Sequence, residues 1–302
     1  MKTNNLYEDS PLRQVTGKAL RPGGVELTRH GLDLCGFSRN HRILDLGCGA
    51  GASLELLHAL ELNATGLDLS TVLLREASDH APVVAADMAE LPFADGRFEG
   101  VVCECALSLA DDPSMVLAEC RRVLTPSGRL LLSDLIRRSG SFPRLPDGGP
   151  EKIRGRDSDP GCFQAPCARG ALPVESLAAL LEEQGFSILR LEDHTRLLRD
   201  LAARIIWHFC SLAAFGELWS RALIDDNSHT AGVWKGTPVP ACDDGNASRL
   251  DLCGGLQTKN TSSTASSCPS VRESGACSCP PDGNPGKNLG YVLIIAVKKE
   301  TP

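Results

Sequence analysis

Residues 42–57, "RILDLGCGAGASLELL", run a short apolar stretch into Gly47, Gly49 and Gly51 and then into leucines at helical spacing. Asp45 stands two residues before the first glycine. Bare backbone at a strand end lets a ligand come close, because glycine has no Cβ and tolerates positive φ. A dinucleotide, a nucleoside triphosphate or another adenosine cofactor would suit such a turn. No Lys-Ser or Lys-Thr pair follows the glycines, so nothing neutralises a γ-phosphate and a P-loop is excluded. Gly47, Gly49 and Ala52 do satisfy the dinucleotide pattern G-x-G-x-x-G/A, with Asp68 at the next strand end, where a ribose-binding carboxylate belongs. Asp45 and Asp87 shift the balance away from a dinucleotide. The first is placed to organise the turn and meet an amino group. The second, with Met88, suits an adenine amino group and ring face.

The elements that must position these residues alternate regularly from Ile43 onward. Strand "RILDLG" leads into helix 52–61, strand 64–69, helix 70–79, strand 82–87 and strand 100–107. Helix 113–124 opens on Asp112 and Pro113, a preferred N-cap and N1 pair, and strand 128–135 follows. Helix 173–184 and strand 186–194 complete the regular part. Strands alternating with helices imply right-handed crossovers and a parallel sheet covered on both faces. The closing "YVLIIAVKK" (291–299) lacks a crossover helix before it, which predicts an antiparallel edge strand. The fold class expected is α/β: Rossmann-like and doubly wound, with a mostly parallel seven-stranded sheet, an antiparallel last strand and a helical, Cys-rich insertion. The expected divisions are an N-terminal helical cap (1–41), a core (42–136) and a substrate-side loop (137–171). The core then continues over 172–194, an inserted helical lid spans 195–239, a flexible Cys-rich insertion 240–288, and the last strand 289–302.

Net charge −7 and a pI near 5.5 argue against a sequence-independent nucleic-acid binder, which needs a basic footprint. The first residues show no signal peptide, and the apolar run 205–216 is too short to span a bilayer. A cytoplasmic protein with no membrane partner is expected. Thirteen cysteines then point to metal or redox chemistry before a disulfide framework. Their spacing contains no C-x-x-C pair, so no metal site is expected. Cys103 and Cys105 flank Glu104 on the fourth strand; regular alternation puts both thiols on the face opposite the carboxylate, in the core.

Four ordered segments, "ILDLGCGAG", "ATGLDLS", "AADMAELPFADGRFEGVVCECALS" and "VLTPSGRLLLSD", make the chain resemble the class I S-adenosylmethionine-dependent methyltransferases over residues 42–135. Within that family it is similar to the small-molecule enzymes of the ubiquinone/sterol type, and to a branch linked to bacterial radical-enzyme and selenoprotein gene clusters. The resemblance implies S-adenosylmethionine as cofactor and a small-molecule methyl acceptor. It places Gly47, Cys48, Gly49 and Gly51 against the methionine half of the cofactor, with Asp45 near its ammonium. Asp68, followed by Leu69, would accept the ribose hydroxyls; Asp87 would take the adenine amino group, with Met88 beside the ring. Glu104 would line the sulfonium end. Glu104 and His194, at the end of the sixth strand, are the catalytic candidates, the histidine as a general base. Two alternatives stay open. One is a thiol-dependent arsenite or metalloid methyltransferase using Cys162, Cys167 and a third cysteine. The other is a non-catalytic cofactor-binding protein whose Cys-rich insertion docks onto a redox or radical enzyme. Helix 195–222, with Trp207, Phe209 and Phe215, is expected to cover the acceptor side together with the loop 137–171.

Overall fold

The computed structural model describes residues 7–8, 11–138, 166–209 and 289–300. Two N-terminal helices, α1 (Arg13–Thr16) and α2 (Gly24–Cys35), precede β1 (Arg42–Leu46), α3 (Ala52–Ala59), β2 (Asn63–Asp68), α4 (Thr71–Ala77) and β3 (Val83–Ala85). Then come β4 (Phe98–Glu104), α5 (Pro113–Val123) and the long β5 (Leu124–Arg137). After the segment outside the description, α6 (Pro166–Gly170), the two-residue β6 (Leu172–Pro173), α7 (Val174–Glu183), β7 (Phe186–Asp193), α8 (Thr195–Phe209) and β8 (Leu289–Lys298) complete the order.

The sheet runs β3-β2-β1-β4-β5-β8-β7, with β6 paired to the end of β5. All pairings are parallel except those of β8, which is antiparallel to both β5 and β7. The doubly wound fold predicted from the alternation is therefore present. One expectation is corrected: β8 is not an edge strand but lies between β5 and β7. Its sequence gives the reason, because Tyr291 to Ala296 are all buried, and a run apolar on both faces needs neighbours on both sides. The β7 strand, with Leu189 half exposed, takes the edge.

Two apolar layers cover the sheet. One, around Leu117, Leu181 and Phe186, lies under α5 and α7; the other, around Leu32, Leu54 and Leu74, lies under α2, α3 and α4. A third, small cluster joins Leu12 to Leu201, Ile205 and Phe209 of α8, which fixes the N-terminal segment over the carboxyl ends of the strands. The cap predicted from sequence forms as expected, the Asp112 side chain accepting the Ser114 N–H; at α4 the Ser70 hydroxyl accepts the Leu73 N–H at 3.1 Å. Among the described residues, no helix is long and apolar enough to cross a membrane. Cys162, Phe215, residues 210–222 of the expected helix, the greater part of the expected loop 137–171 and the expected insertion 240–288 lie outside the described residues.

Candidate functional site

A cleft of about 320 Å³ opens at the carboxyl ends of β1, β2 and β4, where ligands bind in open α/β sheets. Its floor is the glycine turn. Gly47, Gly49 and Gly51 all have positive φ, so the chain there takes a path that L side chains resist. At Gly47 a Cβ would stand 2.7 Å from that of Ala106, whereas at Gly49 it would meet nothing within 4 Å. Gly51 has turned away from the cleft and seats the start of α3 against Ala77.

The amides of Gly47, Cys48, Gly49 and Gly51 are spent inside the protein. Gly47 and Cys48 both donate to the Leu67 carbonyl, at 2.8 and 3.1 Å, and Gly51 donates to the Cys48 carbonyl at 3.0 Å. Gly49 donates to Asp68 Oδ2 at 2.9 Å, while Ser70 N–H bonds the other oxygen of the same carboxylate. Asp68 thus shapes the loop and keeps further lone pairs facing the cleft, which it lines beside Leu69. A nest of amides aimed at an anion is not what this turn offers.

Beneath the turn sits Asp45, 2% exposed, with Oδ2 lacking any hydrogen-bond partner among the described residues. Burial, and then the neighbouring Glu104, push its carboxyl up to about 7, against the pull of Arg21. An orphaned buried carboxylate is costly unless a donor or cation arrives. On the opposite wall Met88 is buried and Asp87 caps its own turn, bonding the Ala89 N–H at 2.9 Å. Asp87 itself stands beside the cleft, which Ala86 and Met88 line.

Glu104 differs from Asp45 in every respect except burial. Its carboxylate pairs with Arg21 at 2.9 Å and accepts the hydroxyls of Thr28 (2.8 Å), Ser53 (3.2 Å) and Ser133 (3.2 Å). The Ser133 hydroxyl is 3.0 Å from the Tyr291 hydroxyl, and that oxygen is 3.3 Å from Cys105 Sγ. Arg21, Thr28, Ser133 and Tyr291 escaped the sequence reading. The signal available was a lone arginine before a Pro-Gly-Gly turn, and nothing in it names Glu104 as partner.

The strand does not continue regularly past Glu104, and the expectation for Cys105 changes with it. Cys105 has φ of 51°, which breaks the alternation and brings its thiol to the same cleft that Glu104 lines. Cys103 stays in the core as expected. Cys167, on α6, does not line the cleft but hydrogen-bonds Tyr7, which does and whose own ionisation burial suppresses. Burial raises the Cys105 thiol well above its ordinary value and the Cys167 thiol to about 11. His194 is elsewhere, bonded to Glu192, and does not line the cleft. Trp207 is 87% exposed on α8, so it does not line the cleft either, while Phe209 is buried against the N-terminal segment.

A family profile described as a methyltransferase domain matches residues 44–132, the stretch that builds the turn, Asp68, Met88 and Glu104. Over that stretch the match supports a methyltransferase domain of the class I S-adenosylmethionine-dependent kind. A ubiquinone biosynthesis O-methyltransferase of Xanthomonas oryzae pv. oryzae is 33% identical over 146 residues, 46% of this chain and 59% of that protein. An arsenite methyltransferase of Halobacterium salinarum is 28% identical over 173 residues, 52% of this chain and 41% of that one. The methyltransferase match therefore spans about half the length of these curated relatives. Among solved structures, a phosphoethanolamine N-methyltransferase 2 of Haemonchus contortus in complex with S-adenosyl-L-methionine superposes with a TM-score of 0.59 at 15% identity. That match covers 99% of this chain and 61% of that one, a likeness of fold.

Proposed function

We propose that this methyltransferase binds S-adenosylmethionine in the cleft and transfers its methyl group to a small-molecule acceptor. The observation that carries the reading is the polarity of the glycine turn. The amides of Gly47, Cys48 and Gly49 are consumed by Leu67 and Asp68, and Asp45 beneath the turn keeps one buried oxygen, Oδ2, with no hydrogen-bond partner among the described residues. A pyrophosphate would need those amides; a cationic cofactor needs the carboxylate. Gly47, Cys48, Gly49 and Asp45 would hold the methionine half, with Gly51 fixing the end of the turn. Asp68 would accept the ribose hydroxyls, Leu69 and Met88 would enclose the adenine ring, and Asp87 would meet its amino group.

Bound there, the cofactor supplies an electrophilic methyl on a sulfonium. The chain's part is to hold the acceptor in line with it and keep water out. Glu104, its oxygens engaged by Arg21 and three hydroxyls, serves as a positioning group that ties the N-terminal segment over the cleft. With His194 outside the cleft, the reading favours an acceptor that is already nucleophilic and needs no dedicated base.

One observation favours a second reading: Cys105 lines the cleft together with Tyr7, and Cys167 hydrogen-bonds that tyrosine. Two thiols suit a soft metalloid such as arsenite, provided each releases its proton on binding. The working compartment in either case is the cytoplasm, a proposal supported by the free thiols of Cys35, Cys48, Cys103, Cys105, Cys120 and Cys167. A docking role for the Cys-rich insertion 240–288 rests on its sequence alone.

The test is incubation of the full chain with S-adenosylmethionine and either cell extract or arsenite with a thiol, read by mass spectrometry. A methylated product from extract supports the first reading. Methylated arsenic that disappears in Cys105→Ser supports the second. No product in either arm, with cofactor binding intact, would leave a non-catalytic binding protein.

A further inference from the structure

Away from the cleft, one more group of side chains converges. His30 on α2, Glu192 on β7 and His194 in the turn to α8 each place a donor atom within 4.8 Å of the other two. Both imidazoles address the same carboxylate oxygen: Nε2 of His30 is 2.8 Å and Nε2 of His194 is 3.0 Å from Oε2 of Glu192. The rings meet edge-on, with centroids 6.0 Å apart. Arg190 Nε holds the other carboxylate oxygen at 2.9 Å, which fixes the carboxylate's orientation. The cluster is half open to water, with side-chain exposures of 46% for His30, 20% for Glu192 and 22% for His194.

Hydrogen bonds alone satisfy this arrangement only if each imidazole carries its proton on Nε2. A divalent cation would replace both protons and take the same three atoms. Two imidazole nitrogens and one carboxylate oxygen are the borderline donor set that suits zinc. Zinc donors lie about 2.0–2.2 Å from the metal, hence roughly 3.3 Å from one another in a tetrahedral array. Both nitrogen–oxygen separations are near that already. The imidazole pair has at most roughly 1.5 Å to close, a displacement that side-chain rotation on an open surface supplies. Arg190 is then the outer partner that orients the ligand.

We propose that His30, Glu192 and His194 form a binding site for a divalent first-row transition cation, zinc as the probe, which clips α2 to β7. The clip has a consequence at the cleft. Thr28, two residues before His30 on α2, donates its hydroxyl to Glu104, so fixing α2 also fixes one of the groups that anchor the N-terminal cover. The site stands whether or not methyl transfer is the chain's reaction.

The test must separate this site from the cysteines. The full chain is stripped with a chelator and titrated with cobalt(II), followed by visible spectroscopy, and zinc is then added in competition. One equivalent should give visible d–d bands without thiolate-to-cobalt charge transfer. Zinc should abolish those bands and raise the thermal midpoint. Glu192→Gln and the double variant His30→Ala/His194→Ala should weaken binding at least tenfold. If the double variant fails to fold, His30→Gln serves in its place, since it keeps an amide donor toward Glu192 and removes the imidazole. No binding at micromolar cobalt, a spectrum dominated by thiolate charge transfer, or a wild-type spectrum in the folded variants overturns the proposal.

Discussion

On the glycine side of the cleft, the bond from Gly49 to Asp68 joins residues 19 apart in the chain. On the Glu104 side, Thr28 reaches Glu104 across 76 residues and Cys105 meets Tyr291 across 186. The two buried carboxylates differ in the same way. Asp45, on β1 beneath the turn, has one oxygen with no hydrogen-bond partner among the described residues, whereas Glu104 is saturated by groups drawn from the N-terminal segment, α2, α3 and β5. The first arrangement leaves a buried oxygen open to a donor. The second uses a charge to hold the protein together.

That contrast breaks most readily at Arg21. Arg21→Met leaves Glu104 buried without its cation and is expected to cost about 3–5 kcal/mol in chemical denaturation. The double variant Arg21→Met/Glu104→Leu should recover most of that loss, because both charges go together. A single variant within about 1 kcal/mol of wild type would show that Glu104 is not an anchor.

Within the turn, Gly47→Ala should exceed Gly49→Ala. Both add the cost of a left-handed backbone, about 1–2 kcal/mol. Only the first also drives a Cβ to 2.7 Å from Ala106. Equal losses would mean that conformation alone matters there. Thermal or urea unfolding of both variants reads the difference.

Asp45 sharpens the comparison through pH. Its carboxyl titrates near 7 when folded and near about 3.9 when unfolded. Between those values the folded state keeps a proton that the unfolded state has released, so this group's contribution to stability falls as pH rises from about 4 to about 7. A cation bound beside it favours the charged form, so cofactor affinity should rise with pH below 7, by up to about tenfold per unit. Calorimetry in two buffers of different ionisation enthalpy should find a proton released on binding at pH 6, and none with Asp45→Asn. Binding without proton release in the wild type would contradict the assignment. At the small end, Trp207→Ala should change stability by less than about 0.5 kcal/mol, since its ring is exposed.

The same difference in sequence distance decides what could be read in advance. The turn and Asp68 lie within one strand-helix-strand unit, and the cap at Asp112 and the order of strands and helices are set by near neighbours or by hydrophobic period, so the sequence carries them. The place of β8 between β5 and β7 was misjudged because the missing crossover helix was weighed above the doubly apolar run. Cys105 was misplaced because no residue pattern announces a positive φ at a cysteine. Arg21, Tyr291 and the meeting of His30 with Glu192 and His194 are pairings across long stretches of chain, invisible without the fold. Trp207 was taken for a residue covering the pocket from the inserted position and aromatic surface of its helix, and neither says which face the core takes.

The central claim is that the cleft is built for a cationic adenosine cofactor. Isothermal titration of the full chain with S-adenosylmethionine, with its demethylated product and with NAD tests it most directly. The account expects binding of the first two and none of NAD. It also expects Asp68→Ala to weaken binding by about 1–3 kcal/mol through lost charge-assisted hydrogen bonds. Tight NAD binding with no response to the sulfonium would contradict it.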